Sequence, residues 1–276
     1  MACRRHSFLW SKAAIVALLF VGAFASGCST MENGRRWGED ATLRPGLKKV
    51  GRSALDALTS PMFYVPAAAA LLLQIDQADR RISDWAMEHT PVFGSMRGAE
   101  QRSEDIRSAS SYLFYLSVLA TPGGNEPVPW AVSKAKGALV QQSAVSVNHF
   151  LVNTVKDTIN HKRPDRVDDR SFPSSRTANV TAFTSLASRN VSVMNLPGQV
   201  KTAFKAVLYT APFVTAWARV EAGAHYPADA LAGISQGYFV TTLINDSLMG
   251  LDRRPAGAPT AWFGHNGVYL GYCLRF

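Results

Sequence analysis

The apolar positions of the chain fall into blocks of helical length, separated by Pro, Gly and charged residues. Residues 13–24 form the first block, an uninterrupted apolar run. Residues 61–74 are alanine-rich and continue into Asp76, Asp79, Arg80, Arg81 and Trp85 before Pro91-Val92-Phe93-Gly94. That pattern predicts an apolar helix that turns amphipathic and stops at Pro and Gly. Residues 110–120 predict a second helix, ended by Pro122-Gly123-Gly124. Residues 130–164 predict a long helix, and residues 177–193, 202–220 and 227–248 predict three more. About six helices with few β-rich runs predict an all-α helical bundle. The tail differs. Asn266-Gly267 between two β-prone runs, residues 261–265 and 268–276, predicts a short C-terminal β-hairpin.

The N-terminal block has the flanks of an export signal. Arg4, Arg5 and Lys12 precede the apolar run, which is too short to span a bilayer comfortably. It ends in Ala25-Ser26-Gly27-Cys28, small residues directly before a cysteine. This resembles a lipobox, so residues 1–27 are expected to be a lipoprotein signal peptide and Cys28 the lipidated N-terminus, tying the protein to a membrane. The ordinary alternative is a signal peptide with a chance cysteine. Ser29-Thr30 lacks the aspartate of inner-membrane retention, which gives a periplasm-facing outer-membrane location as the expectation. The other expected units are a lipid-anchored tether over 28–60, a helical domain over 61–250 and a tail over 251–276. With Cys3 in the signal and Cys28 acylated, Cys273 has no disulfide partner.

Composition narrows the partners. Charged residues make up 18% of the chain and hydrophobic residues 47%, a balance that leans toward membrane contact. The formal net charge is +9, and without the three signal cations about +6 remains, which suits an anionic lipid surface or a phosphorylated substrate. No basic stripe interleaved with aromatics is present, so nucleic acid is not an expected partner.

Three segments carry candidate chemistry. Lys156 and Arg163 are seven apart in a predicted helix, hence on one face, and Pro164 should end that helix. Two cations at a helix end can hold one anion, although a solvated basic face has the same sequence. Ser171-Phe172-Pro173-Ser174-Ser175-Arg176-Thr177 precedes an amphipathic helix. Ser174 or Ser175 is a natural N-cap, and free N–H groups, hydroxyls and an arginine form an anion site there. In Arg219…His225-Tyr226-Pro227-Ala228-Asp229, Pro227 opens a helix, so His225 stands at its entrance with Asp229 four residues on. A carboxylate at that place can accept the imidazole N–H and leave the other nitrogen free to attack.

The three segments, in this order and at these spacings, resemble the signature motifs of the superfamily that joins type-2 phosphatidic acid phosphatases, bacterial acid phosphatases and vanadium haloperoxidases. Lys156 through Arg163-Pro164 matches the first motif in full. Pro173 and Ser174 match the second, where Ser175 and Arg176 replace a Gly-His pair. Arg219, His225 and Asp229 match the third, where Ala218 replaces a serine. The resemblance covers residues 60–250 and implies roles. Lys156, Arg163, Arg219, Ser174, Ser175 and nearby backbone N–H groups would cradle a phosphate. His225 would attack phosphorus to form a phosphohistidine, and Asp229 would orient it. No metal or cofactor is implied, and vanadate would act as a transition-state mimic and inhibitor. The implied substrate is a phosphorylated lipid or lipid-linked compound.

Arg176 is the departure that matters. The family's histidine at this place protonates the leaving group, and a permanently charged guanidinium is a very poor proton donor. Two functions therefore stand side by side: hydrolysis of phosphomonoester or pyrophosphate groups of envelope lipids, and non-catalytic binding of phosphorylated lipid or glycan.

Overall fold

The computed structural model describes residues 29–251 in full and the backbone of residues 257–264 and 267–274. Cys28, the residues before it and Asn266 lie outside the described residues.

Among the described residues there are eight α-helices: α1 (Leu47–Leu58), α2 (Pro61–Leu72), α3 (Ala78–His89), α4 (Met96–Ala120), α5 (Pro127–Ile159), α6 (Ser175–Val193), α7 (Gly198–Glu221) and α8 (Pro227–Leu248). The core is all-helical, and the count exceeds the six read from the sequence for identifiable reasons. The long pattern from residue 61 breaks in two because Asp76 and Gln77 take positive φ, which interrupts the helix between α2 and α3. The extra helix, α1, falls in the stretch read as a tether. That stretch is packed: Met31 and Trp37 belong to the main core cluster, and Trp37 N–H donates to the Pro122 carbonyl at 2.8 Å. Gly137 makes room for the indole, since a Cβ there would stand 2.3 Å from the Trp37 ring.

At the centre stands α6, with fourteen of its nineteen residues buried. The sequence suggested an amphipathic helix, but small Ala, Ser and Thr side chains let neighbours close around it on nearly all sides. Close approach by α8 depends on Gly233 and Gly237, where a Cβ would meet the Ser174 carbonyl at 2.7 Å and the Ala178 carbonyl at 2.4 Å. These contacts press the start of α6 against the start of α8. Several buried polar groups on the facing helices are paired. Arg189 binds Asp246 at 2.9 Å, and Gln141 joins Asn190 and Asn245 at 2.8 and 3.1 Å. Lys134 caps the C-terminal end of α4, donating to the carbonyls of Val118 at 2.9 Å and Leu119 at 3.1 Å and to that of Thr121. The Val118 carbonyl also accepts from the Thr121 hydroxyl at 2.7 Å, whereas that of Leu119 would otherwise be a helix-end orphan.

Residues Gly257–Gly264 and Gly267–Leu274 form two antiparallel strands, β1 and β2, with Gly264 opposite Gly267.

Candidate active site

The site gathers where α5 and α7 end and α6 and α8 begin. α5 stops at Ile159 because Asn160 adopts the left-handed conformation at φ 49°, which Asn tolerates better than most residues. The helix therefore ends before Arg163, and Lys156 and Arg163 do not share a helical face as the spacing suggested. Lys156 stays in the last turn of α5. Arg163 sits in the following loop, fixed by its N–H to the Asp168 carbonyl at 3.0 Å and by its Nε 2.8 Å from Asp168 Oδ1. The same loop is tied to the turn after α7, since Asp165 N–H donates to the Gly223 carbonyl at 3.1 Å.

Lys156 is buried and donates to the Arg170 carbonyl. Burial, reinforced by the charges of Arg163 and Arg170, lowers its pKa to about 8. Arg219, in the last turn of α7, is also buried. Burial and then the charge of Arg176 lower its pKa to about 10. Its Nη1 binds Glu100 of α4, and its Nε is buried without a hydrogen-bond partner. Ser174 is the N-cap of α6, accepting the Thr177 N–H at 3.5 Å. Ser175 and Arg176 thus occupy the first turn, where backbone N–H groups lack intrahelical acceptors and favour an anion.

His225 is fully enclosed, with Nδ1 2.6 Å from the Ser171 carbonyl. A carbonyl only accepts, so Nδ1 carries the proton and Nε2 keeps its lone pair. Burial, followed by the charges of Arg219, Lys156 and Arg163, holds the pKa well below 6.5. The ring is a neutral base set among three cations.

The carboxylate of Asp229 does not take the His225 proton directly, contrary to the sequence-based expectation. As the third residue of α8 it accepts the Tyr226 N–H at 3.3 Å, which turns it toward the helix start. Its Oδ2 accepts from the Ser171 hydroxyl, and its Oδ1 lies 3.3 Å from His161 Nδ1. Ser171 links the two: its hydroxyl binds Asp229 while its carbonyl holds His225. Asp229 therefore acts on His225 through Ser171 and is a positioning residue in this geometry. His161 gains basicity from its hydrogen bond to Asp229. It borders a cavity of about 300 Å³ with Gln74, Gln77, Asp79, Arg80 and Tyr226.

Arg176 is held away by acids. Its Nη1 lies 2.8 Å from Glu100 Oε1 and 2.8 Å from Ser103 Oγ, and its Nε lies 3.2 Å from Glu104 Oε2. Burial raises the Glu100 pKa, but Arg176 and Arg219 together hold it below the ordinary carboxylate value. Glu100 is thus an anion shared by two arginines and no proton donor. Ser171, Glu100 and Ser103 went unrecognised in the sequence. Ser171 lay inside a quoted segment without a distinguishing pattern, and Glu100 is 76 residues from Arg176. Among the described residues no group of three or more His, Cys, Asp or Glu is placed to hold a metal ion.

Every motif residue lies within residues 115–249, the stretch that matches the PAP2 superfamily model. That stretch is where the chain is similar to the PAP2 superfamily. The likeness extends to a solved fold, a crystal structure described as the first transmembrane PAP2-type phosphatidylglycerolphosphate phosphatase from Bacillus subtilis. The two share 20% identity at a TM-score of 0.50, over 72% of this chain and 94% of that one. At that identity the match concerns the fold. No curated protein matches the chain in sequence. The match to the PAP2 superfamily model supports a function of phosphatase type.

Proposed function

We propose that the protein is a PAP2-type phosphatase that hydrolyses phosphomonoester or pyrophosphate groups of envelope lipids through a phosphohistidine at His225. The observation that carries this reading is the state of His225, a buried imidazole with Nδ1 committed to the Ser171 carbonyl and its basic nitrogen left over. In the first step Nε2 bonds to phosphorus. The bond from phosphorus to the leaving-group oxygen breaks, and that oxygen takes the electron pair. Lys156, Arg163, Arg219 and the first-turn N–H groups of α6 balance the charge that gathers on the phosphoryl oxygens. In the second step the oxygen of water bonds to phosphorus, the N–P bond breaks with its electron pair returning to Nε2, and both water protons leave with the inorganic phosphate, so His225 is neutral again. No metal or cofactor enters these steps, and vanadate should compete by mimicking their geometry.

The leaving group is the weak point. Glu100 and Arg176 neutralise each other, so neither supplies a proton, and turnover should favour substrates whose leaving group is stable as an anion. The same observation favours a second reading, in which the domain binds phosphorylated lipid or glycan without turning it over.

We further infer that Cys28 is acylated and holds the protein on the periplasmic side of the outer membrane. The small residues before Cys28 support this reading. Cys28→Ser should then leave the chain unprocessed or release it from membranes, and unchanged processing and fractionation would refute the anchor.

Phosphate release by the purified protein over a panel of lipid monophosphates and diphosphates tests the enzyme. Release that disappears in His225→Ala is expected. No release, with calorimetric binding of phosphate or vanadate intact, would select the binder. No binding of either anion would remove both readings.

A further inference from the structure

Helix α2 is apolar on every side, and nothing charged occurs from Ser60 to Ile75. One side is accounted for by α8. Phe63 packs on Phe239 at 5.7 Å between ring centres, the Ser235 hydroxyl donates to the Phe63 carbonyl at 3.0 Å, and Pro66 is buried. The other side faces out. Tyr64, Val65, Ala68, Leu71, Leu72 and Ile75 are exposed, and their spacing of three and four places them in one stripe. Leu71 is 74% exposed and Leu72 64%. A helix on a water-facing surface normally turns polar residues outward. Here the stripe runs for about 17 Å at 1.5 Å per residue with no charged residue to break it.

Helix α1 adds charge to the same surface. It too packs on α8, and its outer side presents Leu47, Leu55 and Leu58 together with Lys48 and Arg52. Apolar side chains beside exposed cations on adjoining helices match the requirements of an anionic lipid interface. The two helices together pass the length and hydropathy test for a membrane span, but they are bent by 53°. Each has twelve residues, about 18 Å of helix against about 30 Å of hydrocarbon. Lying in the interface suits them better than crossing it. A second copy of the chain is the other apolar partner, but a two-fold contact through this surface would bring Lys48 and Arg52 of one copy near those of the next.

We propose that the outer faces of α1 and α2 form a membrane-interface surface that rests in an anionic leaflet, separately from any acyl anchor. The surface continues into Gln74 and Gln77, which line the cavity beside His161 and Tyr226. A headgroup in the leaflet would therefore stand next to that cavity.

The test must read this surface and not merely membrane attachment, because the apolar run of residues 13–24 can hold the chain on a vesicle by itself. The full-length protein, with Cys3, Cys28 and Cys273 replaced by Ser, is labelled with bimane at Val65→Cys, Leu72→Cys or, as a control on the exposed side of α5, Lys136→Cys. Vesicles of phosphatidylglycerol carry nitroxide-labelled acyl chains. Val65 and Leu72 labels should shift to the blue and be quenched by the lipid nitroxide, and the Lys136 label should do neither. Lys48→Glu with Arg52→Glu should remove most of the blue shift and of the nitroxide quenching at positions 65 and 72. Labels at 65 and 72 that stay as wet as the one at 136 on bound protein would overturn the proposal. So would labels already shielded without vesicles and not quenched by lipid, which would place a second copy on the stripe. Signals at 65 and 72 that are indifferent to the two Glu substitutions would overturn the anionic partner.

Discussion

Replacing Arg176 by histidine probes the one position where the site departs from the motif it resembles. The guanidinium lies 2.8 Å from one carboxylate oxygen of Glu100 and 3.2 Å from one of Glu104. A histidine there stands beside two carboxylates that favour its charged form, with Arg219 opposing. Its pKa should fall near or above the unperturbed value of about 6.5, so a useful fraction is protonated at neutral pH. The structural cost is small. Glu100 and Glu104 are roughly half exposed, their pairing with Arg176 is screened, and its loss should cost about 1 kcal/mol or less. The gain is that of a general acid, about 10²–10⁴-fold, or roughly 3–5 kcal/mol of barrier. The assay is kcat/KM over a series of phosphate esters of graded leaving-group pKa. Wild type should show a steep dependence, cleaving aryl phosphates and diphosphates far better than alkyl monophosphates. Arg176→His should flatten it by raising the alkyl rates, with Ser175→Gly as a companion change that lets the backbone approach the phosphate. A wild type that already cleaves alkyl phosphates with a flat dependence would refute the reasoning and point to His161 as the donor. An Arg176→His variant that folds, cleaves aryl phosphates and gains nothing on alkyl esters would refute the placement of the acid.

Ser171→Ala removes a hydrogen bond to a buried carboxylate, worth about 1.5–3 kcal/mol. It should lower kcat by about tenfold or more with vanadate affinity nearly unchanged, and unchanged kcat would break the link from Asp229 to His225. Lys156, with its pKa lowered to about 8, is charged below that pH and neutral above it, so kcat/KM should fall as pH rises through about 8. Lys156→Arg should move that fall upward, and a limb that stays in place assigns it to another group. Glu100→Gln frees Arg219 for an incoming anion, while Glu104 still holds Arg176. Solvent screening limits the gain to about 1 kcal/mol or less, so calorimetry should show vanadate binding tighter by up to about fivefold, and weaker binding would contradict competition by Glu100. Lys134→Met leaves the Leu119 carbonyl without its donor, should cost about 1–3 kcal/mol, and should lower Tm by several degrees; an unchanged Tm would deny the cap.

What the sequence disclosed follows from the range of its signals. Helix periodicity is local, so α5, α6, α7 and α8 were legible to within a few residues. Pro227 marked the start of α8 correctly because its ring suits a first turn. The end of α5 was misplaced because Pro164 was weighed and Asn160 was not, although a left-handed Asn stops a helix as firmly. The break between α2 and α3 left no trace, since Asp76 and Gln77 are not residues that announce positive φ. The six positions proposed as phosphate cradle and nucleophile could be singled out because they sit at fixed spacings in three short segments. Their partners were not. Ser171 meets Asp229 across 58 residues and Arg219 meets Glu100 across 119, and no local pattern encodes pairings that the packing of α4, α6 and α8 decides.

Glu100 brings the two readings of the site into one physical frame. Lys156, Arg163, Arg176 and Arg219 surround the site, and burial, followed by repulsion from neighbouring arginines, lowers the pKa values of Lys156 and Arg219. Glu100 relieves part of that repulsion by binding Arg219 and Arg176 at once. A phosphate entering the cradle must draw Arg219 from Glu100, which gives up one charged contact and gains a more highly charged one. Arg219 can make that exchange, because its Nε has no partner in the resting site. Arg176 need not move, since Glu104 also holds it. An arginine so anchored cannot carry a proton to a leaving group, yet it keeps Glu100 ionised and close to the cradle. Both readings thus share the same anion exchange at Arg219, and they part only at the fate of the leaving-group oxygen.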